Sequence, residues 1–246
     1  MSKTEELYQF IEAHAQARDL SNTLLALPAA KELLAGMVRH SFDFDRDGRL
    51  QLTYYEHCMA AAKILIDLDP PLEPEEEDIL LASTLCHDML GHVTFQAHGT
   101  ELMTIYHLDR RVYEIVRTIT RPHPLLNEDK PAFYRGIQEN KLALLLALAD
   151  RANLIEQLYS LSIEEAMNYV QEIRTYALPM CTYALEHYPD VQMSVSVLMS
   201  KIRCLIDVTD IISKRYQDRE RAYQNEILSL TEDNARLRGM IRQMQE

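Results

Sequence analysis

His87 and Asp88 stand side by side in the apolar stretch LASTLCHDMLGH, residues 81–92. Both are metal-ligand types. A carboxylate buried without a partner costs several kcal/mol, so something must satisfy Asp88 if its run is buried. Leu80, Leu81, Leu85, Met89 and Leu90 recur at helical intervals, so the pair is expected along a partly buried helix. Neighbours on a helix point about 100° apart and reach one ion only at the helix edge. Further ligands must then come from other helices. His57 in YYEHCMAAAKIL and Asp150 in LLLALADRANL supply the right types, each interrupting an apolar helical stretch. Taken singly, a His on an apolar face is more often a hydrogen-bonded core histidine than a ligand, and a buried Asp is often a helix cap or an ion-pair partner. The order H…HD…D, with every member in a helical run, points to a metal. Histidine with carboxylate suits Mn2+, Fe2+, Zn2+ or Mg2+.

The elements that must position these residues read as helices. The chain has 246 residues, 47% apolar and 26% charged, enough for one substantial core. Leu/Ala/Glu-rich runs with six Gly and nine Pro predict an all-α fold. Helices are expected over about 4–38 with a break at Leu27-Pro28, then over 55–68, 78–90, 106–119, 132–158, 163–176 and 180–187, and from 193 onward. PPLEPEEED, residues 70–78, reads as a solvated loop entering a helix whose first turn favours carboxylates. A net charge of −13 argues against a broad nucleic-acid or anionic-membrane surface. A small anionic substrate remains compatible, because a metal and a few cations reverse the field in one cleft. No apolar run is long enough for a transmembrane helix, and the opening MSKTEELYQF lacks signal-peptide order. Cys58, Cys86, Cys181 and Cys204 lack CxxC spacing and are expected as buried free thiols in a reducing cytoplasm.

The end of the chain has a different pattern. A heptad places Tyr216, Tyr223, Leu230, Leu237 and Met244 at d, and Glu220, Ile227, Asn234 and Ile241 at a. Asn at one a position is a device for fixing a two-stranded register. A homodimeric coiled coil over 213–246 is expected, against an amphipathic helix folding back on its own domain.

Three segments together carry a family resemblance: Tyr54-Tyr55-Glu56-His57, Thr84-Leu85-Cys86-His87-Asp88, and Asn140-Lys141 leading into Leu148-Ala149-Asp150-Arg151-Ala152-Asn153. With them the chain resembles the HD superfamily of metal-dependent phosphohydrolases, above all the RelA/SpoT-type alarmone hydrolase domain and its stand-alone relatives. The likeness covers roughly 36–212, after an N-terminal helical segment, 1–35, that packs on the domain. It implies an HD-domain helical bundle binding one metal, typically Mn2+, through His57, His87, Asp88 and Asp150. The implied reaction removes pyrophosphate from the 3′ position of guanosine tetra- or pentaphosphate by metal-assisted attack of water on phosphorus.

The sequence also departs from that family. The usual HDxxED motif ends here in Gly91-His92, the Pro after the first metal His is Cys58, and Leu154 stands where the family has Asn, with Asn153 one place earlier. His92 stands as a general base, an extra metal ligand or a surface histidine. Arg46 matches an arginine that packs on the base in alarmone hydrolases. Arg121, in a proline-rich loop beside His123, is a candidate phosphate contact, and Asn153 a candidate substrate contact. Lys141 and Arg151 read as ion-pair partners. Asp43, Asp45 and Asp47 with Gly48 follow the order of a calcium loop, but position twelve is Tyr54, not Glu. A polar turn shaping the cleft is the expectation there. Two functions follow: a phosphohydrolase acting on a phosphorylated nucleotide, or a degenerate HD domain that binds a nucleotide and signals through its coiled coil. His92 decides between them.

Overall fold

The computed structural model describes residues 2–37, 53–90, 104–121, 128–155 and 163–245. They form helices α1 (Lys3–Ala17), α2 (Ser21–Leu34), α3 (Tyr54–Ile66), α4 (Pro74–Cys86), α5 (Arg110–Ile119), α6 (Lys130–Gln138), α7 (Lys141–Ile155), α8 (Ile163–Glu172), α9 (Leu178–His187) and α10 (Gln192–Gln245). There is no strand among the described residues, so the fold is an all-α bundle. The chain divides into two compact units, Met1–Leu205 and Ile206–Glu246. The first holds the core. The second, part of α10, begins earlier than the start expected for the coiled coil at residue 213.

In the first unit, α7 is apolar on every side because α3, α4, α5, α6 and α9 pack around it. Ala143 through Ala149 are all buried there, as a helix with neighbours on all faces requires. Helix α4 is likewise buried from Glu77 to Cys86, between α2, α3, α5 and α7. These two helices therefore hold Asp150 and the 87–88 pair at the centre of the bundle. Helix α3 is the third wall, and it starts at a complete capping box: Thr53 accepts from Glu56 N, and Glu56 accepts from Thr53 N at 3.1 Å.

Several expected boundaries are revised. Helix α2 runs through Pro28, its buried Leu27, Ala29 and Ala30 holding it as one element despite the missing N–H. The single helix expected over 132–158 is two, because Asn140 Oδ1 accepts from Ala143 N at 3.0 Å and starts a new helix. The helices expected at 163–176 and 180–187 are joined by a π turn, Ile173–Ala177, in which Leu178 N reaches Ile173 O. Pro179 follows where the ladder has already widened.

The acidic run is only partly solvated. Asp78 is 7% exposed and caps α2 from another helix. Its Oδ2 accepts from Asn22 N at 2.9 Å and its Oδ1 from Thr23 N at 2.8 Å. Leu20, the residue before α2, has no side-chain oxygen to do this. Glu77 pairs with His14 at 2.9 Å and with Arg18. Cys58, Cys86 and Cys181 are buried free thiols, while Cys204 is exposed, a correction to the reading that all four lie inside. No helix of the described residues is long and apolar enough to cross a membrane.

Candidate metal centre

Helix α4 ends at Cys86, so His87 is its C-cap and Asp88 lies in the following turn. This corrects the expected helix to Leu90: His87 keeps helical dihedrals, Met89 N bonds Cys86 O at 3.0 Å in a tighter turn, and His87 Nε2 comes within 3.6 Å of Asp88 Oδ2. The helix end also sets the histidine. Its last carbonyls lack intrahelical partners, and Thr84 O takes up His87 Nδ1 at 2.7 Å. A carbonyl only accepts, so Nδ1 carries a proton and Nε2 is turned into the cluster.

All four sequence-predicted ligands meet there. His57 Nε2 lies 2.9 Å from Asp150 Oδ1 and 3.9 Å from Asp88 Oδ2. His87 Nε2 lies 3.6 Å from Asp88 Oδ2 and 3.7 Å from Asp150 Oδ1. The two imidazole centroids are 5.2 Å apart. An ion about 2.1 Å from each donor sets neighbouring donors roughly 3.0–3.5 Å apart, so these spacings suit a cation with small adjustments. His57, His87 and Asp150 form one metal-competent group, and Cys58, His87 and Asp88 a second. The first is favoured, because Cys58 Sγ lies 3.5 Å from His87 Nδ1, the nitrogen already committed to Thr84.

His87 Nε2 decides how well a cation fits. The residue is 7% exposed, and this nitrogen is buried with no hydrogen-bond partner. Buried polar atoms are otherwise satisfied, and a divalent ion is a partner for which its geometry is suited. The field agrees. Burial alone would lower the His87 pKa, yet Cys58, Asp88 and Asp150 hold it well above the usual imidazole value. Burial would likewise raise Asp150, but the bond from His57, the nearby His87 ring and the Arg151 charge hold it well below the carboxylate range. Two carboxylates thus draw positive charge into a desolvated cluster.

Asn153, read as a substrate contact, is 3% exposed and sits behind His57. Its amide nitrogen lies 2.7 Å from His57 Nδ1 and 3.2 Å from His57 O. Arg121 is in an ionic cluster, with Tyr134 OH at 2.8 Å and Glu172 as ion-pair partner. Lys141 pairs with Glu76 at 2.7 Å and Asp190 at 2.5 Å, and Arg151 with Asp150 at 2.8 Å. His92, Arg46 and the Asp43–Asp45–Asp47 loop lie outside the described residues. Sequence reading missed Tyr134, Tyr169 and Glu172, which surround Arg151; only Arg151, adjacent to Asp150, carried a signal. No protein-family model matches the chain, and no curated protein is significantly similar to it in sequence.

Proposed function

We propose that this chain is an HD-type, divalent-metal phosphohydrolase, with His57, His87, Asp88 and Asp150 as ligands and Mn2+ as the preferred ion. The substrate is a phosphorylated nucleotide, with 3′-pyrophosphate removal from guanosine tetra- or pentaphosphate as the first candidate. The single observation that supports it most is His87 Nε2, buried and without a hydrogen-bond partner between two carboxylates. A divalent cation there would supply Lewis-acid charge for the phosphate and a low pKa for water. The chain's own groups do the positioning: the Thr84 carbonyl fixes the His87 ring, Asn153 fixes His57, and Arg151 fixes Asp150. Within this proposal His92 is the candidate proton acceptor, and Arg46 and Arg121 are the candidate substrate contacts.

The same reading places the protein in the cytoplasm, which its free thiols fit, and makes it a homodimer through 213–246. Tyr216, Tyr223, Ile227, Leu230, Leu237 and Ile241, spaced three, four or seven apart, are 54 to 63% exposed, which supports a partner helix. A second reading, a nucleotide-binding module without turnover, is favoured by one contact: His57 Nε2 already bonds Asp150 at 2.9 Å, as a purely structural pair would.

Metal analysis of the purified chain, with phosphate release over a nucleotide panel, tests both. The expected result is about one bound divalent ion and Mn2+-dependent release, both lost in Asp88→Ala. Bound nucleotide without release selects the module. Neither metal nor hydrolysis removes the enzyme.

A further inference from the structure

Asp150 presents its two oxygens to different partners. Oδ1 faces His57 Nε2 at 2.9 Å, while Oδ2 accepts from Arg151 Nη1 at 2.8 Å. The guanidinium is itself fixed. It lies 5.6 Å from the centroid of the Tyr169 ring, donates to the Tyr169 hydroxyl at 3.3 Å, and donates through Nη2 to the Tyr134 hydroxyl at 3.4 Å. That hydroxyl is a junction: it also accepts from Arg121 Nη2 at 2.8 Å and donates to Glu172 Oε1 at 2.5 Å. A phenol has one proton and two lone pairs, so each is used. Glu172 is held in turn by Arg121 and by Lys130 at 2.9 Å. The Tyr134 ring, 4% exposed, stacks on Tyr176 of the π turn, with centroids 4.4 Å apart and planes 8° apart.

We propose that Tyr134 is a positioning residue for the metal centre. Its hydroxyl, oriented by Glu172, holds Arg151 on Oδ2 of Asp150 and so leaves Oδ1 alone to the cation. This rests on the metal reading above. Arg151 is the partner one step behind the ligand, a position whose loss typically changes metal affinity by about 10–100-fold. Tyr134, one step further out, acts through it with a smaller effect.

Tyr134→Phe deletes the hydroxyl and keeps the stacked ring. Co2+ is titrated into the full-length chain by calorimetry, and its visible absorption band is recorded, because band shape reports ligand geometry independently of turnover. The expected result is Co2+ binding weaker by about 3- to 10-fold, with a changed band and an unchanged far-ultraviolet helix signal. Glu172→Gln, which leaves the hydroxyl but removes the charge orienting it, is expected to shift both readouts in the same direction by less. It serves as the test if Phe at 134 fails to fold. Parent-like affinity and band in the folded variant overturn the role of Tyr134 while leaving the metal site standing. A parent chain that takes up no Co2+ overturns the metal reading and this role with it.

Discussion

Asn153 and His57 show how much one amide can carry. The Asn153 side chain is the partner of a ring nitrogen and of a backbone carbonyl, both on a residue that is fully buried. Truncation to Ala leaves buried polar atoms on His57 without that partner, so Asn153→Ala is expected to cost about 1–3 kcal/mol of stability and to weaken metal binding through a looser ring. Urea unfolding with and without Mn2+ checks it; an unchanged midpoint returns Asn153 to the substrate side. The residues of the His/Asp cluster were legible in the sequence, because a His or Asp inside a Leu/Ala run is costly and stands out. Asn153 was legible as a residue of interest but not for its role, since its partner lies 96 positions away. Tyr134 was not legible at all, because a tyrosine on a helix looks the same whether its hydroxyl meets water or two guanidiniums.

Helix ends, rather than helix interiors, govern the elements. Termination of α4 at Cys86 puts His87 at its C-cap and Asp88 in the turn beyond, and nothing in LASTLCHDMLGH marks that stop before Gly91. Periodicity reports which face is buried and is silent about ends set by distant groups. Asp78 is a second case. As the cap of α2, it receives two backbone N–H groups in a buried setting, so Asp78→Ala is expected to destabilise the fold by about 1–3 kcal/mol in thermal or urea unfolding, far more than a solvated acidic residue would. The junction of α8 with the π turn carries a pH-dependent contribution. Burial alone would raise the Glu172 pKa, but Arg121, the Tyr134 hydroxyl and Lys130 outweigh it and hold it at about 2. A lowered folded-state pKa gives stability that is complete above the unfolded value of 4.5 and lost as pH falls from there through about 2. The stability difference between the parent and Glu172→Gln should therefore be greatest near neutral pH and shrink across that interval. A difference independent of pH would show that the carboxylate charge contributes nothing.

At the scale of the whole molecule the question is what an exposed apolar face on the Ile206–Glu246 unit is for. All-α architecture was legible from composition and helical spacing, and so was the heptad, but a period of 3.5 gives no partner. The charges supply an argument. With Tyr216, Tyr223, Leu230 and Leu237 at d and Ile227, Asn234 and Ile241 at a, Asp233 falls at g and Arg238 five residues later at e. Opposite signs at that spacing suit a parallel pair of copies in register. Parallel register also sets each Asn234 against its own copy, where two amides bond each other; an antiparallel pair would bury it against an apolar d side chain. Truncation before Ser213 is accordingly expected to convert dimer to monomer in sedimentation, and an unchanged mass would remove the coiled coil. Asn234→Ile in the full chain should raise the melting temperature while admitting assemblies larger than two, because the polar pair costs stability in exchange for strand number. A strictly dimeric Asn234→Ile chain would mean that Asn234 does not set the register, and that contacts elsewhere in the chain do.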